Sequence, residues 1–186
     1  MSFNYLNLDI PALPNRGINF NTVLSYRVNT DGNTNNFPTI KSNLAIYQNI
    51  GPPGRLTFGT RVGIEHNFTN DFEFYQAAVL GGNGLRPNLR GFRRDRFSGR
   101  TAFYQNIDLR LKLFNIKTKA LPLSMGIFGG FDYGKVWLDG EDSDEWHTGI
   151  GGGLFFAPFD IIAINFSYFR GDGEVNRFSF GGGFFF

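Results

Sequence analysis

The side chains able to do chemistry are few and poorly spaced for it. There is no cysteine, which excludes disulfides and thiolate metal sites. The two histidines, His66 and His147, fall on different predicted strands, His66 on an apolar face and His147 on a polar one. No HExxH or other zinc spacing surrounds them, so two unconnected histidines and no metal site are expected. The serines lack a GxSxG elbow. Glu141-Asp142-Ser143-Asp144-Glu145 could attract calcium but lacks the glycine and distal Glu of an EF-hand loop; a solvated outer loop is expected. Arg93-Arg94-Asp95-Arg96 reads either as a contact to anionic lipid head groups or as solvated loop. The glycine-rich stretches fall inside strands, not between a strand and a helix, so they are not phosphate loops. No catalytic residue, cofactor or metal is predicted, and the protein is expected not to be an enzyme.

The elements that must position these residues have a period of two. Eight segments alternate strictly and none has a helical period. They are Gly17–Val28, Thr39–Ile50, Leu56–Phe68, Ala102–Phe114, Leu121–Trp137, Trp146–Phe156, Ile161–Arg170 and Arg177–Phe186. In the fourth, Phe103, Ile107, Leu109, Leu111 and Leu113 oppose Tyr104, Asn106, Asp108, Arg110 and Lys112. In the last, Phe178, Phe180, Phe184 and Phe186 oppose Ser179, Gly181 and Gly183. Phe72–Leu80 is also apolar and is a candidate extension of a strand into the long loop. Residues 1–16 read as a lead-in and 17–186 as one all-β domain with a long loop at 69–101.

Composition narrows the class. The 186 residues carry a net charge of only +2, too small to argue for nucleic acid. The 41% hydrophobic fraction does not mark a membrane protein, and no apolar run reaches the length of a transmembrane helix. A membrane barrel hides behind such averages, because only alternate residues meet lipid. A soluble β-sandwich alternates too. Two features favour the barrel. Aromatics sit near segment ends (Tyr26, Phe68, Tyr133, Trp137, Trp146, Tyr168), as an interfacial girdle requires, and short and long connections alternate. Residues 51–55, 115–120 and 157–160 are short turns, whereas 29–38, 69–101 and 138–145 are longer. The expected fold is an antiparallel transmembrane β-barrel of about eight strands, ending on its closing strand at Phe186. No signal peptide is visible at Met1.

The long loop contains Gly81-Gly82-Asn83-Gly84-Leu85-Arg86-Pro87-Asn88-Leu89-Arg90-Gly91-Phe92. It resembles the GG…[VIL]RG[FY] loop of the BamA-type outer-membrane assembly superfamily, also called the bacterial surface antigen family. Tyr104–Leu111 is similar to the strand after that loop. Phe131-Asp132-Tyr133-Gly134 is similar to the family's [FW]xDxG strand, with Gly130 where its first aromatic often sits. The Gly149–Gly153 run, Ala157-Pro158-Phe159-Asp160 and a last strand ending in Phe continue the resemblance. Asp9 and Pro14-Asn15-Arg16-Gly17 resemble the family's NPxxG approach to a strand.

The resemblance implies a latch and a mechanism. Arg90, with Gly91 and Phe92, would fold into the lumen and meet Asp108 and Asp132, with Gly134 in the same motif. Alternation supports this independently, since both aspartates lie on the polar face of neighbouring strands. A guanidinium inside a barrel needs a carboxylate partner. The family also implies assembly or translocation of outer-membrane proteins, by strand addition at a weak seam. That seam would join Gly17–Val28 to Arg177–Phe186, with Gly181, Gly182, Gly183, Phe184 and Phe186 at the joint. Alternatively, these glycines only relieve crowding in the lumen. Expected partners are outer-membrane lipids or lipopolysaccharide, the acidic loop being bridged to the latter by divalent cations, and client outer-membrane proteins. The expected location is the bacterial outer membrane. Family members have about twice as many strands and POTRA domains before them, so this chain corresponds to a C-terminal half-barrel. It would close as eight strands or pair as a homodimer. Two other readings stand beside assembly: an anchor for an absent phosphoesterase- or patatin-like domain, and a purely structural barrel.

Overall fold

The computed structural model describes residues 1–28, 36–69, 72–82, 87–116, 122–138, 140 and 144–182. Gly183, Phe184 and Phe186 of the expected seam, and Glu141, Asp142 and Ser143 of the acidic loop, lie outside them. Nine strands form one antiparallel sheet. In sheet order they are β1 (Ser2–Leu8), β2 (Gly17–Arg27), β3 (Phe37–Ile50), β4 (Leu56–Asn67), β7 (Thr101–Ile116), β8 (Leu123–Trp137), β9 (His147–Pro158), β10 (Ile164–Gly171) and β11 (Arg177–Gly182). Every neighbour in this order is also the next main-sheet strand along the chain. Between β4 and β7 the long loop adds a single 3-10 turn (Phe74–Gln76) and a small hairpin of β5 (Ala78–Leu80) and β6 (Phe97–Gly99). Among the described residues no helix is long and apolar enough to cross a membrane.

The chain is thus the all-β antiparallel sheet expected, with two corrections. The main sheet has nine strands, not eight, because part of the expected lead-in is a strand: Ser2–Leu8 pairs with β2 from Ser2↔Val23 to Leu8↔Gly17. Its alternation is hidden because its apolar residues change sides. Phe3 and Tyr5 share the outer face, whereas Leu8 turns inward against the core. Second, β2 is not an edge. β1 covers it, so the seam placed at Gly17–Val28 is not there, and the sheet stays open between β1 and β11.

One end of the sheet carries short turns and the other long loops. At the turn end β1 connects to β2, β3 to β4, β7 to β8 and β9 to β10; at the loop end β2 connects to β3, β4 to β7, β8 to β9 and, through the short stretch 172–176, β10 to β11. The outward face is apolar: Leu44, Ile46, Ile64, Leu109, Ile127, Ile150, Leu154 and Phe166 are exposed. Arg61, Asn106, Asp108, Arg110, Ser124, Asp132, Asn165 and Ser167 are buried on the inner face. A soluble sandwich would show the reverse, its polar face to water. At the loop end, Trp146 packs within 6.4 Å of Phe103, Tyr133 and Trp137 on the outer face.

The interior has three levels. The floor, at the turn end, is apolar: Leu13, Ala45, Tyr47, Phe128, Phe155, Ala157, Ala163 and Phe169, with Leu8 and Ile10 against them. Leu13 reaches it because residues 9–16 fold inward. There the Asp9 carboxylate accepts from the backbone N–H of Ile10, Asn15 and Arg16. Burial raises the Asp9 pKa, but these donors outweigh it and hold the carboxyl below its usual range. The lid, at the loop end, is Ala78, Leu80, Leu89, Phe92 and Ala102, packed with Phe97, Tyr104 and Val136. Charged and amide side chains fill the level between.

Adjacent residues of β9 separate the two faces in a direct test. Phe155→Ala empties part of the floor and is expected to cost about 3–5 kcal/mol. Leu154→Ala, on the half-exposed outer face, should cost well under half of that. Urea unfolding in detergent micelles, followed by tryptophan fluorescence, measures both; equal losses would contradict this assignment of inside and outside.

Candidate functional site

The middle level is organised by the register of the sheet. Arg61 on β4 pairs across to Asn106 on β7, Asn106 to Asp132 on β8, Asp132 to Gly149 on β9, and Gly149 to Gly171 on β10. All five residues lie on the inner face of one rung. The loop segment Pro87–Phe92 lies across this rung and is held by it residue by residue. Arg61 Nη2 donates to the Pro87 carbonyl at 2.6 Å. Asn106 Nδ2 donates to the Asn88 carbonyl at 3.0 Å, and its own Oδ1 accepts from Arg61 Nε at 2.9 Å. Asp132 Oδ2 accepts from the Arg90 backbone N–H at 2.8 Å. Asn88 ties the segment to β5, accepting from Gly81 N–H and donating to the Val79 carbonyl, both at 2.8 Å.

The Arg90 side chain then turns toward the floor. Its Nε donates to Asp132 Oδ2 at 2.8 Å and its Nη2 to Oδ1 at 2.5 Å, a bidentate fork. Nη1 stands 2.7 Å from Asp108 Oδ1, one rung lower, as an ion pair rather than an aligned hydrogen bond. The guanidinium carbon lies 4.3 Å from the ring centre of Phe169, a cation–π contact. Side-chain exposure is 3% for Arg90, 2% for Asp108 and 0% for Asp132. Burial alone weakens the arginine's hold on its proton. The carboxylates of Asp108 and Asp132 outweigh this, so Arg90 is raised above the ordinary arginine range.

Glycines make the room. A Cβ at Gly130 would stand 2.6 Å from Asp108 Oδ1 and 2.7 Å from Arg90 Nη2, so an aromatic at this position is incompatible with the latch seen here. A Cβ at Gly149 would fall on the Arg90 carbonyl. Gly134 leaves space for Leu80 of the lid, which a Cβ would approach to 2.9 Å. Gly91 has φ +88°, and a Cβ there would meet Gly171 N at 2.5 Å; both its conformation and its surroundings require glycine. Phe92, beside it, packs edge-on to Phe97, and Phe97 stacks on His147 at 3.5 Å.

The structure therefore brings Arg90, Gly91, Phe92, Asp108, Asp132 and Gly134 together. Gly181 and Gly182 lie apart from them on β11. His66 and His147 are on separate strands: His66 Nδ1 is 2.7 Å from Thr101 Oγ1, and His147 belongs to the lid. Among the described residues no cluster of three or more His, Asp or Glu is placed to hold a metal ion. Of the acidic loop, Asp144 pairs with Lys135 Nζ at 2.8 Å, and that ammonium lies over the Trp137 and Trp146 rings. Of the basic stretch, Arg96 donates to Glu174 at 2.6 Å, tying the long loop to the β10–β11 connection. That bond holds Glu174 below its usual range.

Three contributors escaped the sequence reading: Arg61, Asn106 and Phe169. Alternation puts Asn106 on the polar face of its strand, and the same period puts Arg61 on the polar face of β4, but nothing local marks either as a loop ligand. Phe169 carried a signal, a large aromatic on the otherwise polar face of β10. A second lumen arginine, Arg110, does for residues 9–16 what Arg61 does for the long loop. Its Nη2 donates to the Pro14 carbonyl at 2.5 Å, and its guanidinium lies 5.3 Å from the Tyr47 ring centre.

No protein-family profile and no curated relative matches the chain in sequence. In structure it is similar to a truncated BamA from Haemophilus ducreyi lacking POTRA domains 1–3, with TM-score 0.67 and 19% identity. The match covers 98% of this chain and 41% of that one, so the chain spans well under half the length of that protein. At this identity the likeness shows the fold: an open, all-β antiparallel sheet with the architecture of part of a BamA barrel.

Arg90→Ala leaves two buried carboxylates without their guanidinium and is expected to destabilise by about 3–5 kcal/mol. Amide exchange at residues 87–92 should accelerate strongly, while the turn-end floor keeps its protection. The Arg90→Ala/Asp132→Ala double variant should lose less than the sum of the single losses. Gly130→Ala, which changes no charge, should loosen the same amides. Unchanged exchange in the loop of either Arg90→Ala or Gly130→Ala would show that the latch does not hold it.

Proposed function

We propose that this chain forms part of the wall of an outer-membrane β-barrel of the BamA type and takes part in assembling or translocating outer-membrane proteins. The observation that carries the reading is the inverted amphipathicity of the sheet, apolar outside and polar inside, with a loop folded into the lumen. An apolar outer belt of this extent in water would be a severe aggregation hazard; in a bilayer it is the lipid-facing surface. The aromatic cluster around Trp146 then sits at the level of the head groups, with Lys135 among the rings. Outer-membrane lipids or lipopolysaccharide are its natural contacts there.

The filled interior favours work at the wall over conduction through the lumen. Both Pro87–Phe92 of the long loop and residues 9–16 occupy the lumen, each held by a buried arginine. The exposed backbone of the open edges, by contrast, is a template for strand addition. The edges that offer it are β1 and β11, not β2 and β11. The chemistry is non-covalent throughout, so no catalytic residue is assigned.

Lipid vesicles test the reading in two stages. The protein should partition into the bilayer, and it should speed the folding of a urea-unfolded outer-membrane barrel added to those vesicles. A protein that stays in the aqueous phase as a soluble monomer sinks the membrane reading. Partitioning with no acceleration removes the assembly role and leaves an anchor or structural barrel.

A further inference from the structure

Lys135 is a cation on the apolar side of the sheet. It lies on β8 in register with Phe103, and alternation sets it on the same face as Phe131, Tyr133 and Trp137. Toward the turn end that face presents Leu109, Phe131 and Ile150, all exposed. A charge on such a face is costly unless its head reaches water or an anion. Here the ammonium reaches the loop end and enters a cage of rings. Nζ stands 5.4 Å from the Trp137 ring centre and 5.8 Å from that of Trp146. Trp146 packs in turn on Phe103 and Tyr133. The ring faces attract the cation without using up its donors. An ammonium has three. Among the described residues its one hydrogen bond goes to Asp144, at 2.8 Å.

The two partners of that bond are unequal. The Lys135 side chain is 7% exposed, whereas that of Asp144 is fully exposed. The lysine is fixed by its cage. The carboxylate gives up no buried surface when it leaves, and a contact to such an exposed group is weak. Asp144 is thus a replaceable cap on a built cation site.

We infer that Lys135 and the rings around it bind the phosphate monoester of an anionic lipid, which takes the place of Asp144. This site deepens the membrane reading proposed above and rests on it, giving the lipid contacts of the loop end one anchoring residue. Charge favours the exchange, because a phosphate monoester carries about 1.5–2 negative charges at neutral pH and the carboxylate only one. Geometry favours it too, since three free oxygens can meet more than one ammonium donor. The acyl chains then continue from the cage onto Phe131, Ile150 and Leu109, the apolar surface directly beneath. A free phosphate or an acidic peptide has nothing to set against that surface.

Both tryptophans of the chain, Trp137 and Trp146, stand in this cage, so intrinsic fluorescence reports on it directly. The experiment uses phosphatidylcholine vesicles holding a minor share of a lipid brominated near the top of its acyl chains, a contact quencher. That lipid is phosphatidic acid, a monoester, in one series and phosphatidylcholine in the other. Only protein that has partitioned into the vesicles is measured, so a failure to partition counts against the membrane reading and not against the site. Brominated phosphatidic acid is expected to quench as though enriched about fivefold around the tryptophans, the effect of one basic residue at a membrane surface. Lys135→Gln should bring the two series together. Arg94→Gln removes the same charge from an exposed position on the long loop and should leave the difference standing. Asp144→Asn keeps the cage, weakens the cap and should raise the enrichment.

Equal quenching in the two series by the unaltered protein would overturn the inference, as would an enrichment that survives Lys135→Gln. Loss of the enrichment in Asp144→Asn would overturn it as well, marking a divalent cation bridged through that carboxylate. Excess inorganic phosphate should leave the enrichment in place; its abolition would mark a site for free phosphate and not for a lipid.

Discussion

One buried ion cluster governs the interior. Arg90 is almost wholly removed from water and keeps its charge because Asp132 grips it through two oxygens while Asp108 balances it from the next rung. A buried charge without such partners costs several kcal/mol, and the same holds for each carboxylate. The three groups are therefore mutually dependent. If any one is missing, the others face an apolar lid above and an apolar floor below. The loop is not held by greasy contact alone; it is keyed into the lumen by a contact with one geometry.

Most of the neighbouring composition can be read as accommodation of that key. Arg61 and Asn106 hold the backbone that leads to Arg90. Gly130 and Gly149 clear the volume that the guanidinium and its carbonyl occupy, and Gly91 allows the chain to pass close to Gly171. Phe169 supplies a ring face to the cation where the polar face would otherwise present another polar group. Glycine in a strand interior normally weakens it. Here that loss is local, and it allows a loop to lie flat across five strands.

The two ends of the lumen repeat one device with different material. At the loop end an arginine of the wall donates to the Pro87 carbonyl; at the turn end another donates to the Pro14 carbonyl. Proline lacks a backbone donor but keeps its carbonyl, so each segment offers an acceptor that no ladder of its own claims. The result is a wall with a plugged interior and open edges.

Much of the fold was legible because alternation is a local property. The outward and inward faces of eight strands, the short and long connections, and the shared face of Asp108 and Asp132 all follow from a side-chain period of two. β1 was not legible. Its apolar residues switch faces part-way, and only the floor core explains why Leu8 points inward. The motif order pointed to Arg90, but the rung from Arg61 to Gly171 was beyond the sequence. Register across five strands is a long-range property, and no single strand encodes which residue stands opposite it. Outside β1, the sequence by itself determined which side chains of the sheet share a face. Only the tertiary structure decided which of the inward ones meet, because that depends on pairing, curvature and the glycine gaps into which the loop descends.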